Sequence, residues 1–239
     1  MLDKRAVTFL QNRLGLPPSG VWNDAARAAL KVWQATNGLK ADGVYGPITN
    51  KAMTVRAPTA VANVAKTYAL DAKAFAAIVT VETSGAGFLD DGRPKILLER
   101  HYVYRLATGP QRDALTADVC YPTAGGYGAG GANQWERFEK VAAVDLDLAI
   151  QSVSWGLGQV MGANWKTIGA ASPQDMMWDA SQDETRQLAQ MAAFILTKTG
   201  LKAAINAHDW PTVARLYNGP NYATGQYDVK LAEAFKALG

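Results

Sequence analysis

Histidine and cysteine are nearly missing from this chain of 239 residues, which has only His101, His208 and Cys120. Catalytic zinc ordinarily takes three side-chain ligands, most often His. With no H-E-x-x-H and no paired cysteines, the composition argues against a zinc hydrolase, and neither metal nor cofactor is expected. One Cys cannot form an internal disulfide, so the fold does not depend on an oxidising compartment. A Cys–His peptidase would need Cys120 with His101 or His208. Val119-Cys120-Tyr121-Pro122 reads as an extended segment, not the helix N-terminus that depresses a catalytic thiol's pKa. Long apolar runs are missing too. The uncharged window Leu148–Trp165 contains Gln151, Ser152, Ser154, Gln159, Asn164 and three glycines, so it cannot span a bilayer. The first residues, MLDKRAVTFLQNRLG, lack the apolar core and cleavage site of a secretory signal. Accumulation in the cytoplasm, without membrane attachment, is the expectation. No Lys/Arg run or basic–aromatic stripe points to nucleic acid. The glycine loop 124–131 has no Lys or Ser/Thr at phosphate-loop spacing, so a nucleotide site is not expected.

What is present is ordinary for a globular chain of one or two domains: 49% hydrophobic and 19% charged residues. The net charge of +3 is uneven. Residues 1–58 hold 8 Lys/Arg against 3 Asp/Glu, while the rest is slightly acidic. That asymmetry suggests two modules, the basic one facing an anionic polymer. The first module contains a repeat. Gly20-Val21-Trp22-Asn23 returns as Gly43-Val44-Tyr45-Gly46, offset by 23 positions. Each copy is a glycine turn, an aromatic and a helix start, and Asp42-Gly43 marks the tighter turn. Leu30, Trp33 and Gln34 recur at helical spacing over 26–37, ahead of Gly38 where a left-handed cap is expected, and read as core. Three short helices then fill residues 1–56, and Pro58 breaks the pattern in a linker over 57–60.

The remainder, 61–239, reads as mainly helical. Asp71 is an N-cap for a helix through Phe75, Ile78 and Val79. The β-branched and aromatic content of GRPKILLERHYVYR over 92–105 predicts one or two short strands. The glycine loop around Tyr127 reads as a mobile groove wall. Ser181 and Glu184 are spaced as a capping box opening a helix through Leu188, Met191 and Ile195. Asp209 and Pro211 open another, and a last one begins near Asp228. Trp135, Trp155, Trp165 and Trp178 suit either core packing or stacking on a sugar.

Glu82 carries the most chemistry. With Phe75, Ile78 and Val79 it falls at i, i+3, i+4 and i+7, so a carboxyl sits on an apolar stripe at the helix's last turn. Desolvation raises a carboxyl pKa and makes a general acid able to donate near neutrality. Glycines at 85 and 87 would open that end into a groove. The alternative is a Glu merely exposed at a frayed helix end.

Four motifs follow, and the last three of them decide between these readings. Trp33-Gln34 … Gly38-Leu39-Lys40-Ala41-Asp42-Gly43-Val44-Tyr45-Gly46-Pro47-Ile48-Thr49 resembles the three-helix peptidoglycan-binding module of cell-wall enzymes. Val81-Glu82-Thr83-Ser84-Gly85-Ala86-Gly87-Phe88 is similar to the lysozyme superfamily, in which the acid Glu ends a helix leading into a small sheet. Ser154-Trp155-Gly156-Leu157-Gly158-Gln159 and Ala214-Arg215-Leu216-Tyr217-Asn218-Gly219 resemble the Gly-Leu-x-Gln and Tyr-Asn-Gly elements of goose-type lysozymes and lytic transglycosylases. In this order they resemble the modular phage endolysins. The resemblance implies a mainly α chain, with a small three-helix bundle ahead of a lysozyme-like α+β domain with a minor sheet. It implies hydrolysis of the β-1,4 bond between N-acetylmuramic acid and N-acetylglucosamine in peptidoglycan, with Glu82 as general acid.

Glu99, placed on a strand face with Leu97, His101 and Val103, is either a second carboxylate or a partner for Arg100 or Arg105. Asp90-Asp91 reads as a solvated turn, and catalysis by a single Glu stays open. Tyr127, Ser154, Gln159, Tyr217 and Asn218 would bind substrate; Trp33, Asp42, Tyr45 and Thr49 carry the anchor motif. The alternatives are a lytic transglycosylase giving 1,6-anhydromuramoyl products and a non-catalytic wall-binding or tail-associated protein. The resemblance further implies a monomer held in the host cytoplasm until a holin opens the way to the periplasm and wall.

Overall fold

The computed structural model describes residues 2–239 except Ser84 and Asn221. The 23-residue offset is a repeat in space as well. Helices α1 (Lys4–Arg13) and α2 (Asp24–Thr36) begin on Asp3 and Asn23, whose side chains accept from Ala6 N and Ala26 N, satisfying an orphan donor of each first turn. Both end alike: Leu16 N returns to Gln11 O and Leu39 N to Gln34 O, across left-handed Gly15 and Gly38. Gln11 and Gln34 are then the internal posts of the two halves. Their Nε2 atoms donate to Val21 O and Val44 O, and their Oε1 atoms accept from Gly20 N and Gly43 N. Gly20 and Gly43 hold φ of 74° and 71°, a conformation that costs glycine little. Helix α3 (Pro47–Thr54), opened by its proline, completes the bundle.

The bundle leans on the rest of the chain. Phe9, fully buried, packs edge-on against Trp135 and Trp178 with centroids 5.5 and 5.7 Å away. Burying such a ring stabilises by about 1.5–3 kcal/mol. Arg13 donates from Nε to Ser181 O (2.6 Å) and from Nη2 to Gly92 O (2.5 Å), and its guanidinium lies 5.0 Å over the Phe88 ring. Arg5 grips Glu139 through two nitrogens, and Asn50 Nδ2 donates to Leu89 O and Asp90 O. The basic surplus expected to face an anionic polymer is thus partly turned inward, since Arg5, Arg13 and Arg56 all bind atoms of the larger domain.

That domain opens with α4 (Ala60–Tyr68) and α5 (Ala72–Glu82), the latter capped by Asp71. After a loop come β1 (Ile96–Leu98), α6 (Arg100–Leu106) and α7 (Gly109–Asp113). Beyond the glycine loop lie α8 (Ala132–Ala142), α9 (Leu146–Gln151) and the hairpin of β2 (Val153–Trp155) and β3 (Val160–Met161). Helices α10 (Pro173–Ala180), α11 (Glu184–Thr197), α12 (Leu201–Asn206), α13 (Trp210–Asn218) and α14 (Tyr227–Ala237) finish the chain. The strands form one antiparallel sheet ordered β1-β2-β3, with Leu97 opposite Ser154 and Ser154 opposite Met161. Helix α5 runs through the core, with Ala74, Phe75, Ala77, Ile78 and Val79 all buried, and packs on α4, α12 and α14.

Two sequence expectations give way, and one alternative left open is decided. Only residues 96–98 are strand; Arg100–Leu106 is helix, so Glu99 is its N-cap and shares no strand face with His101 and Val103. Asp183, not Ser181, caps α11; the Ser181 hydroxyl instead donates to Trp178 O at the end of α10. Trp135 and Trp155 are core, at 0% and 1% exposure, and cannot stack on a sugar; Trp165 and Trp178 are partly buried against that core.

Candidate active site

Helix α5 delivers Glu82 as its final residue, with Thr83 as C-cap in extended conformation. Ser84 of the same motif lies outside the described residues. The stripe of Phe75, Ile78 and Val79 anchors the helix, which fixes where the Glu82 carboxyl emerges. Asn218, the last residue of α13, donates from Nδ2 to Glu82 Oε1 at 2.9 Å. Burial pushes the Glu82 carboxyl above the usual carboxylate range, opposed by the Asn218 hydrogen bond and by the charge of Lys230 on α14. Beside it the Tyr217 hydroxyl is buried and has no hydrogen-bond partner among the described residues, and neither has Asn218 Oδ1. Burial, helped by the nearby Glu82 charge, holds the Tyr217 phenol far above its ordinary range, so it stays protonated and can donate. Glu82, Tyr217 and Asn218 are therefore brought together, and Asn218 holds the carboxyl.

The other candidates stand in separate groups. Ser154 Oγ donates to Gln159 Oε1 (2.6 Å) and Gln159 Nε2 to Gly156 O (2.8 Å), so this pair closes the β2–β3 turn, with Gln159 at φ 47°. Glu99 lies with its Oε2 3.1 Å from His101 Nδ1, so its neighbour is His101 and not Arg100 or Arg105. Burial raises the Tyr127 phenol, and the Glu99 charge adds to that. The glycine loop, expected as a mobile wall, is fastened. Tyr127 O accepts from Gln134 Nε2 and Arg137 Nη1, and Ala129 O accepts from Gln134 Nε2. Asp90 and Asp91 occupy the expected turn, where Asp91 pairs with Arg93 at 2.6 Å.

In the bundle, Asp42 Oδ1 and Thr49 Oγ1 accept from Gln34 Nε2, so both brace the second turn. Hydrogen bonds from Val44 N and Gln34 hold the Asp42 carboxyl below its usual range. The Tyr45 hydroxyl donates to Asn50 Oδ1 (2.8 Å) and accepts from Arg13 Nη1 (3.3 Å). It faces the seam between the modules. Trp33, read as core, is only half-buried.

Sequence reasoning passed over the residues that fix the loop after Glu82. Gly87 N donates to Glu184 Oε1 (2.7 Å), and Leu157 N donates to Gln187 Oε1 (2.7 Å). A Cβ at Gly87 would meet Gln187 Oε1 at 2.0 Å, so only glycine lets the loop approach this closely. One signal was available. Glu184, Gln187 and Gln190 recur every third residue on a helix whose neighbouring stripe is apolar, and all three are buried. A polar row there needs partners.

Residues 71–239 match the N-acetylmuramidase family, and residues 17–53 match the peptidoglycan binding domain family. The crystal structure of the Burkholderia AP3 phage endolysin is 35% identical, with a TM-score of 0.71, over 97% of this chain and 94% of that one. No curated protein matches the chain. With an acid-bearing helix end in a lysozyme-like α+β domain behind a three-helix bundle, the chain belongs to the N-acetylmuramidase family, as a glycoside hydrolase built like a modular phage endolysin.

Proposed function

We propose that Glu82 is the general acid that cleaves the β-1,4 bond between N-acetylmuramic acid and N-acetylglucosamine. The observation that carries this is the Glu82 carboxyl itself: it ends a buried helix, is raised by burial and is aimed by Asn218. In its protonated form Glu82 gives its proton to the glycosidic oxygen as the bond to C1 breaks and oxocarbenium character develops. Water then adds at C1 and returns a proton to Glu82. The Glu99 carboxylate lies beside His101, and we assign the attack on C1 to a positioned water or to the substrate's N-acetyl group. The Tyr217 hydroxyl and Asn218 Oδ1, without partners among the described residues, suit that N-acetyl group or a sugar hydroxyl. We further place the protein in the host cytoplasm as a monomer until a holin-type lesion admits it to the wall, a reading that rests on its likeness to the endolysin above.

Glu82→Gln should keep fold and wall binding and lose at least about 100-fold in wall lysis, the lower range for a positioned acid. Lysis near wild type would sink the assignment. Mass spectrometry of the digest should find reducing N-acetylmuramic acid ends; 1,6-anhydro ends would mean that the 6-hydroxyl, and not water, completes the reaction.

A further inference from the structure

Glu184 is almost fully enclosed, yet both of its oxygens are committed. Oε1 accepts from Gly87 N at 2.7 Å, and Oε2 accepts from Arg56 Nη1 at 2.7 Å. The carboxylate is 2% exposed, and Arg56 is its one ion-pair partner among the described residues. Arg56 belongs to neither module's helices: it sits in the connector between α3 and α4. Gly87 lies five residues beyond Glu82 on the loop that leaves α5. Its carbonyl accepts from Lys95 N at 2.9 Å. A buried carboxylate that loses its cation must change ionisation, admit water or move, and each course disturbs what its other oxygen holds.

We propose that Arg56 is a positioning residue for Glu82. The linker cation fixes Glu184, Glu184 fixes Gly87, and Gly87 fixes the path along which the chain leaves the acid. The connector between the two modules thereby helps to shape the active site, beyond any role in joining the modules. The proposal rests on Glu82 as the acid.

The test uses the full chain with Arg56→Ala, Arg56→Lys and the pair Arg56→Ala/Glu184→Gln. Displacement of reacting groups by about 1 Å can cost roughly 100-fold. Arg56→Ala should lower kcat on purified wall by about 10-fold, within that range, with KM and pelleting with wall unchanged. Arg56→Lys, which keeps the cation, should stay near wild type. Adding Glu184→Gln to Arg56→Ala should restore most of kcat, because a neutral amide still accepts from Gly87 N and needs no cation. A folded Arg56→Ala with wild-type kcat would overturn the proposal. So would equal losses in the single and double variants, or a loss confined to wall pelleting. Should Arg56→Ala be insoluble, the double variant decides alone: kcat near wild type supports the proposal, and a folded double variant that turns over slowly refutes it. If Glu82→Gln is inactive and Arg56→Ala normal, only this inference fails; if Glu82→Gln lyses wall, the acid assignment fails first.

Discussion

Replacing Asn218 by Ala removes the one side-chain hydrogen bond that lowers the Glu82 pKa and leaves burial acting against Lys230 alone. The carboxyl should therefore titrate higher. A hydrogen bond to a charged group contributes about 1.5–3 kcal/mol, and a pKa unit corresponds to about 1.36 kcal/mol. Glu82 is only partly buried, so water replaces part of that bond and the upward shift is smaller than in a dry site. A general acid works protonated, so kcat/KM falls as pH rises through its pKa. The Asn218→Ala variant should lose maximal rate because the carboxyl is no longer aimed. Its alkaline limb should nevertheless move to higher pH. The assay is the initial rate of clearing of purified wall across the full pH profile, fitted separately for the maximum and the limb. An alkaline limb that stays put, or moves to lower pH, would refute the reasoning even if the rate fell.

Three further outcomes are expected. The folded chain holds the Glu82 carboxyl above its ordinary value, so the stability this confers is full at low pH and lost as pH rises through the folded value. Glu82→Gln, which can still accept from Asn218, should melt about 2–4 °C higher at neutral pH, the effect of about 1 kcal/mol in a chain of this size; the gain should vanish on acidification, and a gain independent of pH would count against it. Arg13→Met strips the donors from Ser181 O and Gly92 O. At about 1–3 kcal/mol for each unmet group, chemical denaturation should show a loss of about 2–6 kcal/mol, and a change under about 0.5 kcal/mol, the range of an ordinary surface substitution, would contradict the account of the seam. Cys120 is buried, and burial raises its thiol; Cys120→Ser should lyse wall normally, whereas a folded but inactive variant would point back to thiol chemistry.

What could be read in the sequence was whatever rests on neighbours along the chain. The Phe75, Ile78, Val79 and Glu82 spacing, the Asp71 and Asp209 caps and the repeat around Gly20 and Gly43 all depend on contacts within about one helical turn or one glycine turn. Residues 100–106 misled because their aromatics look like strand residues, yet only Val103 turns inward. Tyr102 and Tyr104 lie instead beneath Arg105 and Arg112. Ser181 and Glu184 had capping-box spacing, but each was committed elsewhere, Ser181 to the end of α10 and Glu184 to partners 97 and 128 positions away. Long-range pairs of that kind leave no local trace. The inward use of Arg5 and Arg13 was hidden for the same reason, since a net charge does not say which way a guanidinium points.

The ring of Phe9 has a bearing on how the chain is made. Helix α1 leaves the ribosome well before Trp135 and Trp178, against which Phe9 packs. The leading bundle can close its two glutamine-centred turns early, while its phenylalanine must wait, solvent-exposed, for the far half of the protein. The Phe9 contacts thus close only once Trp178 has been made. A shuffled enzyme that receives this bundle without a matching indole pocket inherits an unburied aromatic along with the anchor.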